Sequence, residues 1–231
     1  MAHTSIHAII GLKTEKIILK NKYFLTSIII GIILPDIDLI LRYISDILNI
    51  LEIPSLIVSN SIFHSVFMLP LISLLILIYS EIKQKKELKI VTTGIAIGMA
   101  LHIIIDIITF QSVGVFYPLI DIESNLNLNK YINIQFPNEY YKWIYPFEFF
   151  FFRVYGWMIM QKIIENPFNN YKMIKRINLW NKVQLYIFVL FLLLIYFSVE
   201  QTVFTNIFRT LHTLSFFIAI YITCKVRKSI N

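Results

Sequence analysis

Charged residues and cysteine are both scarce in this chain of 231 residues. Charged side chains make up 15% of it and hydrophobic ones 57%, a balance outside the usual range of soluble domains. Cys224 is the single cysteine, which excludes an intramolecular disulfide and a metal cluster held by thiolates. The sequence also has no glycine-rich phosphate loop, no nucleophile elbow and no clear internal repeat, so the usual signals of nucleotide-binding loops and serine nucleophiles are missing.

Long apolar runs dominate what is present, and the mean hydropathy is +0.70. Runs long enough to span or nearly span a bilayer cover residues 62–80, 88–108, 183–199 and 204–224, with weaker candidates at 23–34 and 147–164. We therefore expect an all-α, polytopic membrane helix bundle with about six helices at membrane depth, plus a short N-terminal helix at residues 3–12. Residues 1–231 are expected to form a single integral membrane domain without a cleavable signal peptide.

Basic residues are clustered, and the net charge is +7. Most of them lie at residues 13–22, 83–89, 162–182 and 225–228. When the six expected spans are threaded in alternation, all four clusters fall on one face, which the positive-inside rule makes cytoplasmic. The clusters lack a basic face with interleaved aromatic residues, so we expect solvated flanks and no nucleic-acid partner. The C-terminus is predicted to be cytoplasmic in the cell membrane.

Acidic and histidine side chains collect at the opposite, external face of this threading. Three segments that are distant in sequence deliver them, namely Asp36 with Asp38, His64, and His102 with Asp106. Ionisable residues are costly at membrane depth, so such a convergence indicates a functional site. His7 lies on a helix too short to span, and it reaches this face only if that helix dips into the bundle.

Local geometry favours a metal site. His102 and Asp106 are four residues apart and share one face of a helix. Asp36 and Asp38 follow a proline, which predicts an extended turn that aims both carboxylates the same way. Two converging carboxylates repel unless a cation lies between them, and imidazole with carboxylate suits zinc, iron or manganese. Taken singly, "DID" is typical of a helix-end cap, and a lone histidine in a span is typical of packing.

Four stretches resemble the YdjM-like membrane-bound metal-dependent hydrolase family: "SIHAIIG", "LPDID", "FHS" and "LHIIIDIITFQSVGVFYPL". The resemblance covers residues 3 to about 120 and extends distantly to zinc-dependent phospholipases C. It implies a metal-binding set of His7, Asp36, Asp38, His64, His102 and Asp106, with Ser65, Thr109 and Pro118 at framing positions. It also implies zinc or another divalent metal such as manganese, at about one to three ions.

The chain departs from the family before the second histidine motif. Ser59 and Asn60 stand where the family has histidine and arginine, and Phe63 replaces a threonine. The missing arginine removes an expected anion contact, and the missing histidine removes a further ligand. We therefore expect activity that is weakened, altered or lost, with metal binding retained.

The expected chemistry is metal-assisted hydrolysis. A metal lowers the pKa of its bound water, which then attacks a phosphorus or carbonyl centre. Asp36 or Asp38, whichever is not fully engaged in coordination, is the expected catalytic proton acceptor. A site at the outer face favours a lipid or phosphoester substrate. The alternatives are a non-catalytic protein with a structural metal site and a metal or ion transporter, although a transporter usually places its ligands at mid-membrane.

The remaining regions receive simpler interpretations. We expect residues 1–120 to form the half that carries the metal site and residues 147–231 to form additional membrane helices. Residues 121–146 are expected to form an external loop that could cover the site. His212 is expected to have a packing or interfacial role. Glu148 and Arg153 border an aromatic run, which favours an interfacial belt or an internal ion pair over a place at the mouth of the site.

Overall fold

A computed structural model describes residues 4–17, 23–48, 62–109, 115–119, 138–165 and 171–230. Within these ranges the chain is all-helical, without strands, as the composition predicts. The α-helices are α1 (Thr4–Lys13), α2 (Phe24–Ile33), α3 (Ile37–Leu48), α4 (Met68–Lys83), α5 (Glu87–Ile108), α6 (Asn138–Glu165), α7 (Tyr171–Tyr196) and α8 (Gln201–Ile230). Short 3₁₀ turns occupy Thr14–Ile17 and Leu34–Asp36.

Four candidate membrane spans stand out by length and hydropathy among the described residues: Phe24–Leu41, Glu87–Ile108, Tyr171–Tyr196 and Gln201–Arg227. They support a protein with transmembrane helices, but the expected count of about six is not confirmed. The predicted run 62–80 begins with a turn, and α4 has only 16 residues. At a rise of 1.5 Å per residue, α4 measures about 24 Å, less than the hydrocarbon thickness of about 30 Å.

The chain divides into two compact units. The first takes in the described residues from Ile10 to Ile134, and the second combines His3–Ile9 with the region from Gln135 to Asn231. The assignment of residues 1–231 to a single membrane domain stays a prediction. Most of the predicted lid at 121–146 lies outside the described residues, and only its last part begins α6.

In the first unit, α2 and α5 pack with their backbones in close approach. A Cβ at Gly98 would collide with the carbonyl oxygen of Ile28, and one at Gly31 would collide with the backbone of Ile95. Small residues allow this kind of approach between apolar helices. The approach carries the end of α5, with its histidine and aspartate, to the end of α2.

The "PDID" stretch is helical, so the predicted extended turn is wrong. Leu34–Asp36 forms a 3₁₀ turn that leads directly into α3, and the Ile37 amide bonds to the carbonyl oxygens of Leu34 and Pro35. Pro35 is accommodated because it stands in the first positions of the turn, where its missing N–H is not needed. As a result the two aspartates contact different histidines.

The second unit has its own core. Phe149, Phe191 and Phe204 are buried together, and the Phe149 and Phe191 rings stack at 5.3 Å. Gly156 lets α6 approach α7, since a Cβ there would collide with the Asn181 side chain. The long aromatic run of the sequence is therefore partly an internal core within this unit.

Candidate metal centre

Five of the six side chains predicted as ligands meet in the first unit. Asp36 and Asp38 come from the α2–α3 junction, His64 from the turn before α4, and His102 and Asp106 from the last turns of α5. All five are at most 4% exposed. The His102 and Asp106 side chains lie together, with Nε2 and Oδ2 3.2 Å apart, which confirms the shared helix face.

The imidazole rings of His64 and His102 face each other with their Nε2 atoms. The Nε2 atoms of His64 and His102 are 3.0 Å apart. His102 Nδ1 lies 2.7 Å from the carbonyl oxygen of Ile32, which can only accept, so Nδ1 carries the hydrogen. His64 Nδ1 lies 3.2 Å from Asp38 Oδ2, so a neutral His64 also carries its hydrogen on Nδ1. Both Nε2 atoms then present lone pairs to the same point.

Carboxylate oxygens add to this convergence of acceptors. Asp106 Oδ2 lies 3.3 Å from His64 Nε2, and Asp36 Oδ1 lies 3.9 Å from His102 Nε2. One ligand atom from each of Asp36, His64 and His102 can be chosen so that all lie within 4.8 Å of one another. Lone pairs at such distances repel unless a cation or bound protons lie among them. Imidazole nitrogen with carboxylate oxygen is a donor set for zinc, iron or manganese.

Asp38 stands behind His64. Its Oδ2 atom accepts the Phe63 backbone N–H at 3.1 Å in addition to facing the His64 ring. Within the described part of the chain, its buried Oδ1 atom has no hydrogen-bond partner. A carboxylate that orients a ligating histidine is a common partner of metal sites. The geometry therefore gives Asp38 a position from which it orients the His64 ring.

The framing residues have varied surroundings. Ser65 Oγ donates to the Tyr117 carbonyl oxygen at 2.6 Å, and the Val66 N–H donates to the Val115 carbonyl oxygen at 2.8 Å. These bonds tie the turn that carries His64 to residues 115–119. Thr109 Oγ1 donates to the Ile105 carbonyl oxygen at 2.9 Å at the end of α5, and Pro118 is exposed.

The remaining positions singled out in the sequence differ in their outcomes. His7 is buried in α1, in the part that groups with the second unit, and its role as a ligand stays a prediction. Ser59 and Asn60 lie outside the described residues. Phe63 contacts Asp38 through its backbone N–H, and this contact does not depend on the side chain. The exchange of threonine for phenylalanine therefore leaves it possible.

A second buried polar cluster, in the second unit, was missed as a set by the sequence interpretation. Glu148 is 2% exposed, and its two oxygens accept the Ser5 backbone N–H and hydroxyl, each at 3.0 Å. His212 Nε2 lies 3.5 Å from Glu148 Oε1 and 3.3 Å from Thr4 Oγ1. A carboxylate at the first turn of α1 also matches the helix dipole. The available signal was the lone glutamate inside "FEFFFF".

Comparison with known proteins identifies the family. The sequence model of the YdjM inner membrane protein family matches residues 2–207. No curated protein and no solved structure matches the chain. The match extends well past the motifs of the N-terminal half and agrees with the candidate membrane spans described above. The chain belongs to the YdjM family of inner membrane proteins.

Proposed function

We propose that this chain is a membrane-bound metal-dependent hydrolase. The observation that carries the proposal is the pair of buried Nε2 atoms, 3.0 Å apart, with Asp106 Oδ2 within 3.3 Å of both. His64, His102 and Asp36 are the proposed ligands, and Asp106 and His7 are proposed to complete the set. A divalent metal held there would supply Lewis-acid polarisation of the substrate and a water of lowered pKa.

The chain's own residues prepare this chemistry. The Ile32 carbonyl oxygen holds the His102 ring, and Asp38 holds the His64 ring, so that each keeps its Nε2 lone pair directed inward. Because Asp38 faces the His64 ring at Nδ1, on the side away from Nε2, we assign it the role of orienting this ligand. Asp36 is then a ligand, which separates two roles that the sequence left shared between the aspartates.

A phosphoester or lipid-type substrate at the outer face is part of the proposal. It rests on the positive-inside bias of the lysine clusters and on the family's membrane location. With this orientation the C-terminus is cytoplasmic. A C-terminal reporter that is active only inside the cell would support the orientation, whereas one active only outside would move the site to the cytoplasmic face.

A structural metal site is the second candidate, and the burial of the proposed ligands favours it. All five side chains in the first unit are at most 4% exposed, whereas a catalytic metal keeps a coordination position open to water and substrate. A transporter is a third alternative, because Asp36, His102 and Asp106 lie within candidate spans.

The deciding experiment uses the purified full-length protein loaded with zinc or manganese. It is assayed against phosphate esters, phospholipids, carboxylic esters and amides, with a chelator-treated sample as the control. Metal-dependent turnover of one substrate class supports the hydrolase. A protein that retains stoichiometric metal but hydrolyses nothing in the panel contradicts it and favours the structural site.

A further inference from the structure

A cleft in the second unit lies where α7 turns into α8, and its lining contains none of the proposed metal ligands. It has a volume of about 300 Å³ and is lined by Lys142 and Trp143 of α6, by the last turn of α7, and by Phe204 of α8. This size is at the lower end for sites that take small organic ligands.

The lining of the cleft is amphiphilic. Leu194, Ile195 and Phe204 provide apolar wall, and the Lys142 ammonium and Ser198 hydroxyl provide polar groups. Within the described part of the chain, Lys142 forms no ion pair with a carboxylate. The nearby Glu200 accepts the Thr202 hydroxyl at 2.6 Å. A lysine ammonium and a serine hydroxyl in one cleft suit an anionic group such as a phosphate.

The backbone at Ser198 has an unusual conformation. Ser198 has φ of 51°, and its N–H bonds to the Ile195 carbonyl oxygen at 3.0 Å, while the Val199 N–H bonds to Leu194 at 3.1 Å. This is the helix-ending motif in which glycine is the usual left-handed residue. Serine at this position places a hydroxyl in the lining of the cleft, at the cost of a less favourable backbone conformation.

Exposed aromatic rings surround the cleft. Trp143, Tyr196 and Phe197 are 51%, 80% and 70% exposed, and they lie in or beside the cleft. Tryptophan and tyrosine concentrate at the level of lipid headgroups, and lysine extends its ammonium to the same level. This pattern favours a position of the polar groups at headgroup level, with the apolar wall beside the acyl chains.

We propose that this cleft binds an anionic phospholipid. Lys142 and Ser198 contact the phosphate, and Leu194, Ile195 and Phe204 contact the glycerol and the first part of an acyl chain. None of these residues is a proposed metal ligand, and the test does not require hydrolytic activity.

Native mass spectrometry of the purified full-length protein, titrated with phosphatidylglycerol or phosphatidylcholine, tests the proposal. We expect Lys142→Gln to weaken phosphatidylglycerol binding about tenfold, because a charge-assisted bond is lost. Ser198→Gly should weaken it about threefold by removing the hydroxyl, and its backbone relaxes, so misfolding does not explain a loss. Lys172→Gln, an exposed lysine at the start of α7, carries the same charge change and should leave binding unchanged.

Three outcomes overturn the proposal. One is wild-type phosphatidylglycerol binding in Lys142→Gln. Another is an equal loss in Lys172→Gln, which indicates general charge attraction. The third is displacement of the lipid by millimolar inorganic phosphate, which indicates a site for the free anion.

Discussion

The two buried clusters use similar residues in opposite ways. In the second unit, each oxygen of Glu148 accepts a donor from Ser5, and His212 lies beside a threonine hydroxyl. In the first unit, two histidine Nε2 atoms and an aspartate oxygen converge as acceptors. A histidine and a carboxylate therefore form a structural joint where donors are supplied by the chain, and a candidate metal site where acceptors face one another.

Replacing a histidine in each cluster gives the largest expected difference. His102→Ala should lower metal affinity by more than about 100-fold, because it removes a ligand, whereas loss of a residue that only orients a ligand costs 10–100-fold. His212→Ala should leave metal content unchanged. Metal per chain is measured by plasma mass spectrometry on monodisperse protein. An equal loss from both variants would mean that bundle integrity controls metal retention.

Replacing a carboxylate of the first cluster should have the second-largest effect. Asp38→Asn keeps the shape of the side chain but removes the charge behind His64, so metal affinity should fall about tenfold or more. Hydrolysis should fall at least about tenfold, which corresponds to about 1.4 kcal/mol of transition-state stabilisation. Isothermal titration with zinc and initial rates measure the two effects. A zinc affinity of Asp38→Asn equal to that of the wild type would contradict a role for Asp38 at the candidate metal centre.

Glu148→Gln should act on stability alone. It turns one acceptor into an NH₂ group that faces a donor of Ser5, which costs about 1–3 kcal/mol in the free energy of unfolding. Thermal unfolding in detergent measures the shift, and metal per folded chain should match wild type. Metal loss in this variant would contradict the division of roles between the clusters.

The glycine contacts offer the smallest and most local comparison. Gly98→Ala should push α5 away from α2, because its Cβ meets a backbone carbonyl, and it should lower both stability and metal affinity. Gly156→Ala meets side-chain atoms of Asn181 and Trp180 and should lower stability alone. Paired unfolding and zinc titrations test this, and metal loss in Gly156→Ala would be the contrary result.

The sequence predicts which side chains of the first unit converge at the candidate metal centre. The spacing of His102 and Asp106 is local, so helix periodicity is enough to bring them together. The meeting of Asp36 and His64 with this pair follows from threading apolar runs and from the cost of burying charges. These arguments need only the order of the segments along the chain.

Side-chain roles depend on contacts that periodicity does not contain. In the helical "PDID" junction, Asp36 and Asp38 contact different histidines. Asp38 contacts the ring of His64, which lies 26 residues away in the sequence. The Glu148 joint forms with Ser5 across 143 residues. The expected number of spans is not confirmed, because α4 has only 16 residues and α6 is not among the candidate spans of the described residues.

X-ray absorption at the zinc edge of the loaded full-length protein tests the central claim most directly. We predict a first shell with at least two imidazole nitrogens and carboxylate oxygen, without sulfur. His64→Ala should leave one imidazole fewer, whereas His212→Ala should leave the spectrum unchanged. A shell without imidazole, or a protein that takes up no zinc at all, would contradict the account.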